Sequence, residues 1–320
     1  MVVSVPSTTE GMKIMPKILA KCHELVSNIQ CADRKGDAFF VPFVKMHGCG
    51  NDYIFFDSFI AEVLNPGEVA GMLSDRNKGV GGDGIVLICP SDSSDAGMRV
   101  FNKDGSEAEM CGNAIRCVGK YLYESGRVPK PNIEIETLGG VKKLELFIKA
   151  GEVETVLVSM GKAVTKPGEI PVNLPGDTII GREVYISGLP FEITCVSMGN
   201  PHAVIFHEDV DNFDLHAIGP RIENAPIFPG RTNVEVAEIV NRRHIKMRVW
   251  ERGSGETMAC GTGACATVVA AVLMGYCDAG NDIKVSLRGG ELTINYTEAE
   301  VYMKGDAIKV FEGMVEAWAK

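Results

Sequence analysis

The chain has 320 residues and a net charge of −10, with 45% apolar and 23% charged residues, which suits about two domains with sizeable cores. The acidic balance disfavours nucleic acid or an anionic membrane as the main partner, since both need a basic face. No apolar run approaches the roughly 20 residues that span a bilayer.

Residues 1–40 read as an N-terminal extension. Met15, Ile18, Leu19, Cys22, Leu25, Val26 and Ile29 fall at helical spacing, which predicts an amphipathic helix over 13–30 that docks on the protein's own surface. Glu10, Glu24, Asp33 and Asp37 depart from the acid-poor composition of organelle-targeting segments, and no secretion signal is seen. The ten cysteines therefore read as free thiols in a reducing compartment, and a cytoplasmic location is expected. The spacings Cys111-x5-Cys117 and Cys260-x4-Cys265 lack the paired C-x2-C knuckles of structural zinc sites, so no metal is expected.

Residues 41–56, 84–88 and 98–101 are rich in β-branched and aromatic residues and read as strands. Gly79, Gly81, Gly82 and Gly84 do not match the spacing of a dinucleotide loop. After Cys111 a helix is expected over 114–124, ended near Gly126. Residues 133–137 and 143–148 alternate and predict a hairpin through Leu138-Gly139-Gly140. After Cys260, residues 264–274 form a run of small and apolar residues, and a helix apolar on nearly all sides is buried.

The two halves share a register. Cys111 and Cys260 differ by 149, and the same shift carries Gly50-Asn51 onto Gly199-Asn200, Glu107 onto Glu256 and Gly84 onto Asn233. Between 98–117 and 247–266, six of twenty positions are identical. Gly139-Gly140 falls on Gly289-Gly290 with a shift of 150. This is the pattern of a duplication. The expected fold is α/β (α+β): two pseudo-symmetric domains, each a barrel-like strand set around one central helix. The domains are placed at 41–159 plus about 306–320, and at 160–305.

Each cysteine precedes a helix in a Cys-Gly turn. Unpaired N–H groups and partial positive charge at a helix start stabilise a thiolate, which lowers its pKa, and can hold a substrate carboxylate. Gly112 and Gly261 permit close backbone approach. One thiol per half suits proton removal from one face of a carbon and its return to the other, with each thiol serving as base or acid. Cys89, Cys117, Cys195, Cys265 and Cys277 read instead as buried apolar groups. Asn51, Asn102, Asn113, Asn200 and Asn233 offer both donors and acceptors beside the glycines. Arg252 can pair with a carboxylate. Glu251 can take an ammonium group or set a thiol's protonation, and His202 can tune the thiols.

Five segments resemble the diaminopimelate epimerase family: Lys45 to Tyr53, Phe101 to Glu107, Met110 to Asn113, Met198 to His202, and Trp250 through Cys265. They run in the family's order from about Val41 to the end. The resemblance implies an isomerase that needs no cofactor and interconverts LL- and meso-diaminopimelate, late in lysine and peptidoglycan precursor synthesis. It implies Cys111 and Cys260 as the acid/base pair, assisted by His202 and Glu251. Asn51, Asn102, Gly112, Asn113, Asn200, Asn233, Glu251, Arg252, Gly261 and Thr262 are the implied substrate contacts. A homodimer is also implied. Gly84 stands where some members carry a substrate-contacting glutamine, and the 40-residue extension lies outside the family core. The competing readings are a two-cysteine proline or hydroxyproline racemase and, from another class, a thiol- or metal-binding protein.

Overall fold

In the computed structural model, which describes residues 3–4 and 38–318, the strand-like run 41–56 forms two strands rather than one. Cys49 (φ 52°) and Gly50 (φ 78°) turn left-handed and separate β1 (Ala38–Gly48) from β2 (Asn51–Asp57). The helix expected over 13–30 lies outside the described residues, as do Cys22 and Cys31. The fold is mixed α/β and rich in strand, and its described part divides into two compact units. Among the described residues, one comprises 3–4, 38–48, 52–156 and 307–318; the other comprises 49–51 and 157–306.

In the first unit β1 pairs with the final strand β16 (Ile308–Trp318) from Ala38 opposite Trp318 to His47 opposite Ile308. Then follow α1 (Pro66–Leu73), β3 (Gly84–Cys89), β4 (Ala96–Asn102), α2 (Gly112–Glu124), β5 (Asn132–Glu136) and β6 (Lys142–Lys149). β2 runs parallel to β3, β3 antiparallel to β4, and β5 and β6 form the expected hairpin. Phe43, Ile54, Phe56, Val69, Ile85 and Phe101 share one core cluster. Each such buried side chain stabilises the fold by roughly 1.5–3 kcal/mol relative to exposure. α2 is buried from Gly112 to Gly119. A Cβ on Gly119 would lie 2.7 Å from Leu144 Cδ2, so glycine lets the helix close onto β6.

β7 (Glu152–Gly161) leads from the first unit into the second. There β8 (Arg182–Ile186), β9 (Leu189–Ser197), β10 (Pro201–Phe206), α3 (Leu215–Glu223), β11 (Asn233–Asn241), β12 (His244–Glu251), α4 (Gly261–Leu273), β13 (Asp282–Leu287), β14 (Gly290–Tyr296) and β15 (Val301–Gly305) follow. The 149-residue shift holds in three dimensions. α2 and α4 have 13 residues each, and 112 + 149 = 261. Tyr53 opposes Gly84 in the parallel pair β2–β3, and His202 opposes Asn233 in the parallel pair β10–β11, with 53 + 149 = 202 and 84 + 149 = 233. Arg99 and Arg248 bind Glu107 and Glu256 through bidentate ion pairs at the same relative positions. α4 is buried from Gly263 to Ala271, as its composition predicts.

One expectation is corrected: each unit carries a second helix, α1 or α3. α1 has only eight residues and includes two glycines. α3 contains Gly219 and Pro220, residues that weigh against helix by propensity. Packing decides: Gly219 lies so close to Trp250 that a Cβ would sit 2.6 Å from its Cγ.

Candidate active site

Both cysteines sit at the N-cap of their helices in extended backbone: Cys111 at φ −132°, ψ 115°, and Cys260 at φ −123°, ψ 113°. In the first unit Cys111, Gly112 and Asn113 start α2. Arg116, one turn on, is fully buried. Its Nη1 donates to Gly112 O (3.0 Å) and its Nη2 to Asn113 Oδ1 (3.1 Å). A Cβ on Gly48 would lie 2.5 Å from Arg116 Nη2, so β1 passes directly over the guanidinium. Asn102 ends β4, and its Nδ2 donates to Ser106 Oγ (3.1 Å). Gly84, on β3, has no room for a side chain: a Cβ would overlap the Phe101 carbonyl oxygen and come within 3.0 Å of Tyr53 Cε1. A glutamine at this position would need a different path for β4.

In the second unit Cys260 is only 6% exposed. Its Sγ accepts from Gly263 N (3.3 Å) and lies 3.4 Å from Thr262 Oγ1. Asn200 Nδ2 donates to that same hydroxyl (3.2 Å), and Asn200 Oδ1 faces His202 Nε2 at 3.0 Å. His202 Nδ1 lies 2.7 Å from Glu235 Oε1. Glu251 accepts from the Thr257 hydroxyl. Asn233 donates to Pro201 O (3.1 Å) and accepts from Arg252 N (2.9 Å). Glu223 binds Trp250 Nε1 (2.7 Å), Gly253 N (2.9 Å) and Arg231 Nη1 (3.1 Å), which fixes the turn that presents Arg252. Asn51, Gly261 and Arg252 all belong to this unit. Cys117, Cys195, Cys265 and Cys277 are buried, and Cys89 is half-buried.

The electrostatics differ from the sequence expectation. A helix start lowers a thiol's pKa, yet the Cys260 thiol is pushed well above its ordinary value. Burial is the largest cause; the charges of Glu251 and Glu235 add to it, and the Thr262 and Gly263 bonds offset only part. Removal from water disfavours the charged form more than one N–H···S bond favours it. Burial likewise raises Glu251, joined by Glu235 and opposed by Thr257, His202 and Cys260.

Arg116 in the first unit, and Glu223 and Glu235 in the second, are polar side chains beside these residues that sequence reasoning missed. The signal was available for Glu235. It lies two residues after Asn233 in a strand, hence on the same face, inside the apolar run Val234 to Val236. Arg116 likewise interrupts the buried stretch Ile115 to Val118.

The sequence matches the family model for diaminopimelate epimerase over residues 43–166 and 194–310. A diaminopimelate epimerase from Acetivibrio thermocellus is 53% identical over 276 residues, covering 86% of this chain and 98% of that protein. One from Methanococcus maripaludis is 51% identical over 278 residues, covering 86% of this chain and 100% of that protein. Among solved structures, a hydroxyproline epimerase from Agrobacterium vitis superposes with a TM-score of 0.63 at 14% identity. The match covers 87% of this chain and 92% of that one. A PhzF-family phenazine biosynthesis protein from Bacillus anthracis superposes at 0.62 and 16%, covering 87% and 99%. At those identities the likeness is one of fold.

Proposed function

The chain belongs to the diaminopimelate epimerase family, and on that premise we propose how its residues interconvert LL- and meso-diaminopimelate. One thiolate removes the α-proton from one face of the carbon, and the other thiol returns a proton to the opposite face. Cys111 and Cys260 are the pair. The observation that carries this is the repeat itself: two 13-residue helices at a constant shift, each with a cysteine at its N-cap. Burial and the charges of Glu251 and Glu235 push the Cys260 thiol up, which favours its neutral form. It is therefore the proton donor in the direction that starts from that state, and the base in the reverse direction. The thiols carry the proton themselves, so the reaction requires no cofactor.

N–H groups at the two helix starts, Gly112-Asn113 and Gly261-Thr262, hold the substrate's reacting carboxylate and stabilise the charge that develops on it as the carbon loses its proton. Asn51, Asn102, Asn200, Asn233, Glu251 and Arg252 read the remaining amine and carboxylate groups. His202 and Glu251 set the ionisation around Cys260. The enzyme works in lysine and peptidoglycan precursor synthesis, as a homodimer in the cytoplasm.

The test is turnover of LL-diaminopimelate in D2O. Deuterium should enter the α-position of the product as epimerisation proceeds. Hydroxyproline turnover without diaminopimelate turnover would replace this reading with that of the structural neighbour.

A further inference from the structure

We propose that Glu235 is a positioning residue for the Cys260 half of the reaction: it holds His202, and through it Asn200 and Thr262, in the arrangement that presents the thiol. This rests on the reading of Cys260 as an acid/base group.

Glu235 and His202 are both 0% exposed. A carboxylate taken fully out of water persists only where something in the protein compensates it. Glu235 Oε1 meets His202 Nδ1 at 2.7 Å, while Oε2 has no hydrogen-bond partner among the described residues. The imidazole is thus its principal partner. From there an unbroken chain runs to the sulfur: His202 Nε2 to Asn200 Oδ1 (3.0 Å), Asn200 Nδ2 to Thr262 Oγ1 (3.2 Å), and Thr262 Oγ1 to Cys260 Sγ (3.4 Å).

The direction of each bond follows from the donors. Asn200 Nδ2 donates to Thr262, so Asn200 Oδ1 faces the imidazole. Both ring nitrogens of His202 then face oxygens, so the partner at Nδ1 fixes how the ring is turned toward Asn200. Glu235 therefore holds the Nδ1 side of the ring, and Asn200 its Nε2 side, in a dry site. Without Glu235 the ring loses its anchor, and the bond to Asn200 is weakened or lost.

The other ionisable groups facing this pair are Cys195 on β9, Glu251 on β12 and Cys260 at the start of α4. The Glu235 charge helps to raise all three, and His202 opposes the rise at Glu251. The packing is specific to this arrangement. A Cβ on Gly263 would lie 2.6 Å from Glu235 Oε1 and 3.3 Å from Cys260 Sγ. The glycine therefore allows the carboxylate to reach under the helix start.

The experiment compares the wild-type enzyme with Glu235→Gln, Glu235→Asp, His202→Asn and the double variant Glu235→Gln/His202→Asn. Diaminopimelate kcat and KM are measured in both directions. A wild-type enzyme that fails to epimerise diaminopimelate refutes the functional reading itself. Given an active wild type, Glu235→Gln should lower kcat about 10- to 100-fold, by analogy with loss of a carboxylate that orients a metal-bound imidazole. KM should change much less, and Glu235→Asp should recover part of the loss. In the double variant the two losses should not multiply, because Glu235 acts through His202.

Side-chain 15N NMR reads the ring directly, and does not depend on activity. The chemical shifts of the His202 ring nitrogens, and the tautomer they report, should change between wild type and Glu235→Gln. Wild-type kcat in Glu235→Gln, fully multiplicative losses, or a His202 ring whose nitrogens do not respond to Glu235→Gln would each overturn the proposal.

Discussion

Gly263→Ala isolates close approach from chemistry, because it adds one methyl group and removes no functional atom. Gly263 is the third residue of α4, and its N–H donates to Cys260 Sγ at 3.3 Å. The new Cβ would lie 2.6 Å from Glu235 Oε1 and 3.3 Å from both Cys260 Cβ and Sγ. A separation of 2.6 Å between carbon and oxygen is well inside contact, so the carboxylate or the helix start must shift. Forcing a methyl group into a packed site costs about 1–3 kcal/mol. Alanine's better helix propensity returns up to about 1 kcal/mol. The net loss is about 0–3 kcal/mol, which is a fall of up to several degrees in Tm for a chain of this size. Activity should suffer far more, because a displacement near 1 Å at a reacting group can cost about 100-fold. The assay pairs calorimetry with epimerisation kinetics. A variant with near wild-type kcat and an unchanged Tm would refute the claim that Glu235 and Cys260 are packed against this position.

Cys111→Ala and Cys260→Ala should each nearly abolish epimerisation, and substantial turnover by either would sink the two-thiol mechanism. Arg116→Leu should destabilise the protein by about 1–3 kcal/mol, since Gly112 O and Asn113 Oδ1 lose a buried donor; urea unfolding measures it, and an unchanged midpoint would contradict the geometry. Stability should also fall at alkaline pH. Burial, aided by Glu235, pushes the Cys195 thiol up to about 12, whereas the unfolded thiol ionises near 8.5. The folded state then binds the proton more tightly, so the contribution is complete below the unfolded pKa. It is lost between about pH 9 and 12, at about 1.4 kcal/mol per pH unit. Cys195→Ala should flatten the slope of unfolding free energy against pH in that range. At the acid end, burial would raise Asp52, but bonds to Arg76 and Lys45 outweigh it and hold the carboxyl below its ordinary value. That stabilisation is present above about pH 4 and is lost as pH falls through the depressed pKa; Asp52→Asn should remove it in acid unfolding.

The duplication was legible before any coordinates because a repeat keeps chemistry at fixed spacing. The shift of 149 related the two cysteines in the sequence, and the structure shows the same shift between the two 13-residue helices and between two parallel strand pairs. The buried helix α4 was legible too, since a helix with no polar face has nowhere else to go. The helices α1 and α3 were not, because they are short, hold glycine or proline, and exist through packing rather than propensity. Sequence by itself named Cys260 and its helix start, and that local view expected a lowered thiol pKa. Only the tertiary structure could reverse the sign. Burial, Glu235 and Glu251 reach the thiol from strands 25 and 9 residues away in sequence (260 − 235 = 25, 260 − 251 = 9). A pattern reports which groups lie near one another along the chain, while desolvation depends on everything that surrounds a group in space.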